Sequence, residues 1–260
     1  TMQFVNPLLK RKAFIWWNFP VSDYVRDRLL LGAVYGNGTD IDDDISAFIS
    51  NPMEHAEASK IALFSIADYA WNMDAYKSDA SWRRAVRYLM PGHAAALQVF
   101  ASHNSDLGGN EHDFRREESE QIRPALERLL DAYCREGKRE VAAASAVTEE
   151  CERMIASADL LLASDENPAL IKEITPWLIQ FKLLGEYGRE VLCMLAAQCD
   201  GKKTELEKAA SHAKALQVLM KKIDATYNQN GFQPGVKTGS CHLKPAFDRL
   251  YQEVVQRTGK

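Results

Sequence analysis

The spacing of apolar and polar positions divides the chain into two regimes. Residues 13–19 (AFIWWNF) form a short apolar, aromatic run that gives way to Asn18, Pro20 and Asp23. Such a run reads as a β-strand. Alternation puts Phe14, Trp16 and Asn18 on one face and Ile15, Trp17 and Phe19 on the other. Residues 47–50 form a second strand, stopped by Asn51-Pro52. Between the two, residues 24–31 read as helical and residues 32–38 as a glycine-rich turn. Thr39 is placed to cap a short acidic helix start with Asp42 near its third position. Residues 52–70 then carry amphipathic helical spacing. Strand, helical crossover, strand and helix make a βαβ unit with parallel strands. Asp23 and Asn51 then leave the same rim of the sheet.

Past residue 80 the strand pattern stops. Residues 81–89, 91–103, 115–135, 139–163, 168–198, 202–226 and 244–256 all repeat apolar positions with helical period. Gly- and Asn-rich turns are expected at 107–110 and 231–239. Pro176 is expected to end or kink its helix, with Thr175 able to cap the next. The fold class is α+β, mostly α.

Composition narrows the functional classes. The 260 residues are 46% hydrophobic and 26% charged, enough for one good core or two smaller ones. A net charge of −4 gives no general electrostatic reason to bind nucleic acid or an anionic membrane. No apolar run reaches the roughly 18 residues of a membrane span. The most apolar stretch, 168–195, is interrupted by Lys172, Glu173, Lys182, Glu186 and Arg189. The opening Thr1-Met2-Gln3 lacks the charged start and apolar core of a signal peptide. Cys134, Cys151, Cys193, Cys199 and Cys241 are odd in number and widely spaced, and they read as free, mostly buried thiols.

Several arrangements that imitate chemistry fail on spacing. His55, His93, His103 and His112 include no pair at i,i+4 and no H-E-x-x-H. Asp40, Asp42 and Asp44 begin like a calcium loop, but Ile45 stands where Gly is required and Asn51 where the closing Glu belongs. The segment 235–238 (GVKT) separates Gly from Lys and follows no strand, so it is no phosphate loop. No metal and no cofactor is expected. The acidic runs at 42–44, 117–118 and 149–150 read as solvated helix faces. The strand end at Asn18 and Asp23 differs from these. In parallel α/β barrels, ligand groups sit at the C-terminal ends of strands, and a polar Asn beside two aromatics suits a sugar. The competing structural reading makes Trp16 core, Asn18 and Asn51 strand-end caps, and Asp23 the N-cap of a following helix.

Four stretches carry a resemblance: 14–24 (FIWWNFPVSDY), 50–57 (SNPMEHAE), 103–108 (HNSDLG) and 228–238 (NQNGFQPGVKT). Together, and in this order, they resemble glycoside hydrolase family 84, the bacterial β-N-acetylglucosaminidases related to O-GlcNAcase. The resemblance implies substrate-assisted catalysis, in which the sugar's 2-acetamido oxygen attacks the anomeric carbon and two adjacent aspartates assist. That aspartate pair has no counterpart here, so no catalytic residue is assigned and the chain alone is expected to be inactive. By resemblance Trp16 walls the acetamido pocket, Asn18 supports the acetamido and acid region, Asp23 accepts from O4 and O6, and Asn51 bonds O3. A closed barrel takes about 250 residues. Residues 1–114 are therefore expected to be the last two βα units of a (β/α)8 barrel, followed by a post-catalytic helical bundle over 115–260. The expected partners are an N-acetylglucosamine-bearing glycan or glycoprotein, and the missing barrel portion or another chain covering strand 13–19. The sequence leaves the compartment open, and the resemblance leans towards an extracytoplasmic one. The alternative reading is a non-catalytic helical interaction module.

Overall fold

The computed structural model describes residues 2–105 and 116–258. The expected turn at 107–110, His112, the start of the helix expected at 115 and the domain boundary at 114 lie outside the described residues.

A short helix, α1 (Met2–Leu9), precedes the first strand and was not foreseen from the sequence. Asn6 ties it to the sheet: its Nδ2 donates to the Asp44 carbonyl (2.7 Å) and its Oδ1 accepts from the Ala13 N–H (2.9 Å). Strands β1 (Ala13–Trp17) and β2 (Ile45–Ser50) pair in parallel, Trp16 opposite Ile49 and Trp17 opposite Ser50. Helix α2 (Ala56–Trp71) covers one face, where Phe19, Val34, Ile45, Ile66 and Tyr69 pack with Ile15, Trp17 and Phe48. The other face stays open, with Phe14 55%, Trp16 66% and Ile49 45% exposed. The alternation read from the sequence is therefore the alternation of covered and open faces.

The crossover between the strands departs from expectation. Residues 24–31 are not helical. Two tight turns (Val25 N–H to Ser22 carbonyl, Arg28 N–H to Val25 carbonyl) lead into an extended stretch. Leu29, Leu30 and Leu31 explain this, since each is at most 1% exposed and a helix would have turned some of them outward. Extended, they bury on both sides while the Leu31 N–H donates to the Asn104 carbonyl (2.7 Å). The acidic segment forms only a 3-10 turn, Asp42–Asp44, preceded by Ile41 with no side-chain cap, so Thr39 does not cap it. α2 starts at Ala56 rather than Pro52, because buried Met53 is drawn towards the Leu30 N–H (3.2 Å to Sδ).

The helices continue as α3 (Ser78–Leu89), α4 (Ala94–Ser102), α5 (Arg123–Glu136), α6 (Val141–Leu162), α7 (Pro168–Cys199), α8 (Lys203–Thr226) and α9 (Leu243–Thr258). Gly137, at φ +68°, closes α5, its N–H bonding the Tyr133 carbonyl. Pro176 does not break α7, which runs through it, and Thr175 donates back to the Ile171 carbonyl (2.6 Å) instead of capping. α7 is the central element: Trp177, Phe181, Leu184 and Tyr187 are buried along it. The largest core runs from Leu29–Leu31 and α2–α4 into α5–α9 without interruption.

Two further expectations fail. Glu118 and Glu150 are not solvated: they are 3% and 5% exposed, and both are held by neighbours described below. Of the cysteines, all free, Cys151 is buried while Cys193 and Cys199 are exposed and Cys134 and Cys241 half-buried. A helical period marks which positions can face inward, but on α7 the inward side is already filled by larger side chains.

Candidate functional site

The C-terminal ends of β1 and β2 carry the candidate site. Trp16, on the open face, donates its indole Nε1–H to Asn18 Oδ1 at 2.7 Å. Asn51 Nδ2, from the residue after β2, donates to the same oxygen at 3.2 Å. The Asn51 N–H is held by the Trp17 carbonyl (2.9 Å), and Ser50 Oγ donates to the Phe19 carbonyl (2.6 Å). Three of the four residues singled out from the sequence are thus one hydrogen-bonded unit. Trp16 is 66% exposed rather than packed among the described residues, and Asn18 Oδ1 ties two side chains together at the strand end.

Asp23 stands on the turn after β1 and is exposed. No helix follows it, which removes the N-cap reading. Its carboxylate bonds to none of the other three, and it meets the site only by leaving the same end of the sheet. The turn around it is fixed from a distance. Arg26 Nη1 lies 3.8 Å from Glu54 Oε2, and the Arg26 N–H donates to Gln233 Oε1 (2.9 Å). Asn228 Nδ2 donates to both the Arg26 and Gly235 carbonyls at 2.7 Å. Lys237 Nζ pairs with Asp27 Oδ2 at 2.6 Å, and Trp177 Nε1–H reaches the Asp27 carbonyl at 3.0 Å. The loop 228–238 therefore clamps the Asp23 turn onto α7. Sequence reasoning singled out that loop but not its task. Its signal was the run of Asn and Gln side chains, which bond backbone groups that no sheet or helix satisfies.

The stretch at 103–105 is buried instead of lining the site: His103, Asn104 and Ser105 are 2%, 3% and 1% exposed. The Asn104 and Ser105 carbonyls accept from the Leu31 and Gly32 N–H groups. His103 lies between Ser119 Oγ (2.8 Å from Nδ1) and Glu150 Oε1 (2.7 Å from Nε2). Burial lowers the imidazole's pKa, helped by Arg153, which also contacts Glu150. A neutral ring donating to Glu150 and accepting from Ser119 satisfies every partner. The trio has the order of a nucleophilic triad, but Ser119 is only 2% exposed and the adjoining cavity measures about 40 Å³. No substrate fits there, so the trio locks α4 to α6.

Nearby, burial pushes the Glu118 carboxyl up to about 7, against the Cys241 N–H that donates to it at 2.5 Å and against Arg28. Among the described residues, no group of three or more His, Cys, Asp and Glu side chains is placed to hold a metal. Nor is any helix there long and apolar enough to cross a membrane.

Known proteins resemble this chain in sequence and in fold. Residues 118–251, just over half of the chain, match the family described as bacterial GH84, post-catalytic domain. Residues 1–102 match the family described as beta-N-acetylglucosaminidase. Protein O-GlcNAcase of Rattus norvegicus is 32% identical over 76 residues, 29% of this chain and 8% of that protein. The structure of CpGH84D superposes with a TM-score of 0.84 at 27% identity, over 98% of this chain and 42% of that one. CpGH84B gives 0.83 at 24% identity, over 96% and 41%. An O-GlcNAc hydrolase of Thermobaculum terrenum gives 0.75 at 20% identity, over 100% and 53%. The chain thus spans about half or less of each of these relatives. It belongs to glycoside hydrolase family 84, and corresponds to the C-terminal part of its members.

Proposed function

We propose that this chain is the C-terminal portion of a retaining β-N-acetylglucosaminidase and supplies one wall of its sugar pocket. Residues 1–114 are the last part of the catalytic (β/α)8 barrel and residues 115–260 its post-catalytic helical bundle. The substrate is a glycan or glycoprotein bearing a terminal N-acetylglucosamine.

The observation that carries this reading is the Trp16–Asn18–Asn51 unit at the C-terminal ends of two parallel strands, on the face opposite α2. In a (β/α)8 barrel the helices lie outside and the opposite strand face lines the interior. The open face of Phe14, Trp16 and Ile49 then looks into the barrel, and the remaining strands are the cover it needs.

In the reaction, the acetamido oxygen bonds to the anomeric carbon as the bond to the leaving oxygen breaks. An acid then protonates that oxygen, and water later opens the oxazoline. Trp16 offers the acetamido methyl group an apolar wall, with its indole orientation fixed by Asn18. Asn18 supports the acetamido and acid region. Asn51 bonds the O3 hydroxyl, and the Asp23 carboxylate accepts from O4 and O6, where a charged acceptor suits two donors. The acid/base and acetamido-orienting aspartates come from outside this chain.

A direct test is turnover of a chromogenic N-acetylglucosaminide. The purified 260-residue chain is expected to show none, and a protein that adds the upstream barrel strands is expected to hydrolyse it. Turnover by the chain alone would sink the proposal.

A further inference from the structure

We propose that Asn228 and Gln233 are positioning residues for the hydrolase. Seated on the helical bundle, they fix Arg26 and, through it, the Asp23 carboxylate that takes the sugar's O4 and O6 hydroxyls. The inference rests on the reading of the strand ends as a sugar pocket, and it gives the bundle a share in that pocket.

Asp23 has little local support for such a task. It lies in a tight turn, closed by the Val25 N–H on the Ser22 carbonyl, and no regular element runs between β1 and the 3-10 turn at Asp42. Three residues on, both backbone groups of Arg26 leave the crossover for the loop 228–238. The Arg26 N–H donates to Gln233 Oε1 (2.9 Å), and its carbonyl accepts from Asn228 Nδ2 (2.7 Å). The Arg26 side chain then turns back. Its Nε donates to the Asp23 carbonyl (3.4 Å), and its Nη1 lies 3.8 Å from Glu54 Oε2, in the loop between Asn51 and α2. One residue therefore joins the turn that carries Asp23 to the loop that follows Asn51, and the bundle holds that residue's backbone.

The loop is cross-braced, so it can serve as a reference point. Asn230 Oδ1 accepts from the Phe232 and Gln233 N–H groups (3.0 and 2.7 Å) while its Nδ2 donates to the Gln233 carbonyl (2.8 Å), which sets the backbone that carries Gln233. The Gly235 N–H closes the loop on the Asn228 carbonyl (3.0 Å), and the Val236 N–H is anchored on Asp224 of α8 (2.9 Å). Trp177 of α7 adds a second tie. Its Nε1–H meets the Asp27 carbonyl (3.0 Å), and its ring lies 4.9 Å from that of His55. Misplacing a substrate-positioning group by about 1 Å can cost on the order of a hundredfold in rate. A surface turn that must hold two hydroxyls therefore gains from anchors in a packed bundle.

The test is kcat/KM of the complete enzyme on a chromogenic N-acetylglucosaminide, taken around a cycle with Asp23→Ala. Asn228→Gly keeps the left-handed backbone found there (φ +50°) and removes both side-chain bonds. It is expected to lower kcat/KM about tenfold in the parent and no more than about twofold in the Asp23→Ala background. Gln233→Ala should behave likewise. Gln233→Glu, which retains an acceptor for the Arg26 N–H, should recover most of that loss. An unchanged helical circular dichroism spectrum should accompany each variant, and the two Gln233 variants decide if Asn228→Gly does not fold. Parental activity in Asn228→Gly would overturn the inference. So would an equal fall with and without Asp23, which would mark the loop as support for the fold alone. If Asp23→Ala itself leaves activity intact, the sugar-pocket reading fails and the inference with it. A loss with Asp23→Ala but none with Asn228→Gly sinks the inference alone.

Discussion

Asn18 and Asn51 meet at 3.2 Å across the ends of two adjacent parallel strands, and the oxygen they share also takes the Trp16 indole N–H. One carbonyl oxygen therefore orients two side chains that each belong, on the proposed reading, to a different part of the sugar. The two are coupled through Asn18 and not through each other.

Asn18→Ala should loosen both partners at once. All the groups involved are solvent-accessible, so stability should fall by less than about 1 kcal/mol. In the complete enzyme, affinity for an oxazoline mimic should drop about tenfold. Adding Asn51→Ala should cost less than the sum of the single changes, because the first has already removed Asn51's anchor. Inhibition constants for the four proteins of this cycle give the coupling directly, and strict additivity would mean that the shared oxygen has no role.

Glu118 gives a pH prediction with a defined sign. Its folded-state pKa of about 7 lies above the ordinary 4.5, so between these values the folded protein holds more protons than the unfolded chain. Its contribution is present below 4.5 and lost as pH rises through 7. Glu118→Gln keeps an acceptor for the Cys241 N–H but cannot ionise. The variant should gain on the parent protein by about 3 kcal/mol between pH 4.5 and 8. Urea unfolding at the two pH values measures this gap, and a gap that stays flat would contradict the burial of an ionisable carboxyl there.

The α7–α9 contact depends on a missing side chain. A Cβ at Gly188 would lie 2.5 Å from the Phe247 ring and 2.8 Å from Cys151 Sγ. Gly188→Ala should therefore destabilise the chain by about 1–3 kcal/mol, although alanine favours helix more than glycine. Equal or higher stability in thermal melts would mean that α9 shifts away without cost.

Much of this molecule was legible before any coordinates. Alternation over residues 13–19 assigned Trp16 and Asn18 to one face, and the bundle followed from helical period. What failed shares a cause. Residues 24–31 have helical spacing, yet Leu29–Leu31 are fully buried, with Leu30 and Leu31 bonded to Met53, Trp82 and Asn104, and a local pattern does not reveal partners so far along the chain. Local propensity leads Pro176 to be expected to end or kink its helix, whereas packing along both sides of it keeps α7 continuous. Glu118 and Glu150 looked solvated because a charge run carries no record of the Arg153 or the Cys241 N–H that receives it. At the strand ends, the face that Trp16 and Asn18 share is legible but the clamp is not: Gln233 and Asn228 act on Arg26 from about 200 positions away.

The most direct measurement is kcat/KM for Asp23→Ala in the complete enzyme, with a chromogenic N-acetylglucosaminide. Asp23 is exposed and bonds to none of the strand-end trio, so the change leaves the Trp16–Asn18–Asn51 unit and the fold intact. Losing hydrogen bonds to a charged acceptor costs roughly 1.5–3 kcal/mol, so kcat/KM should fall about ten- to a hundred-fold. A variant as active as the parent would contradict the claim that this strand end holds the sugar.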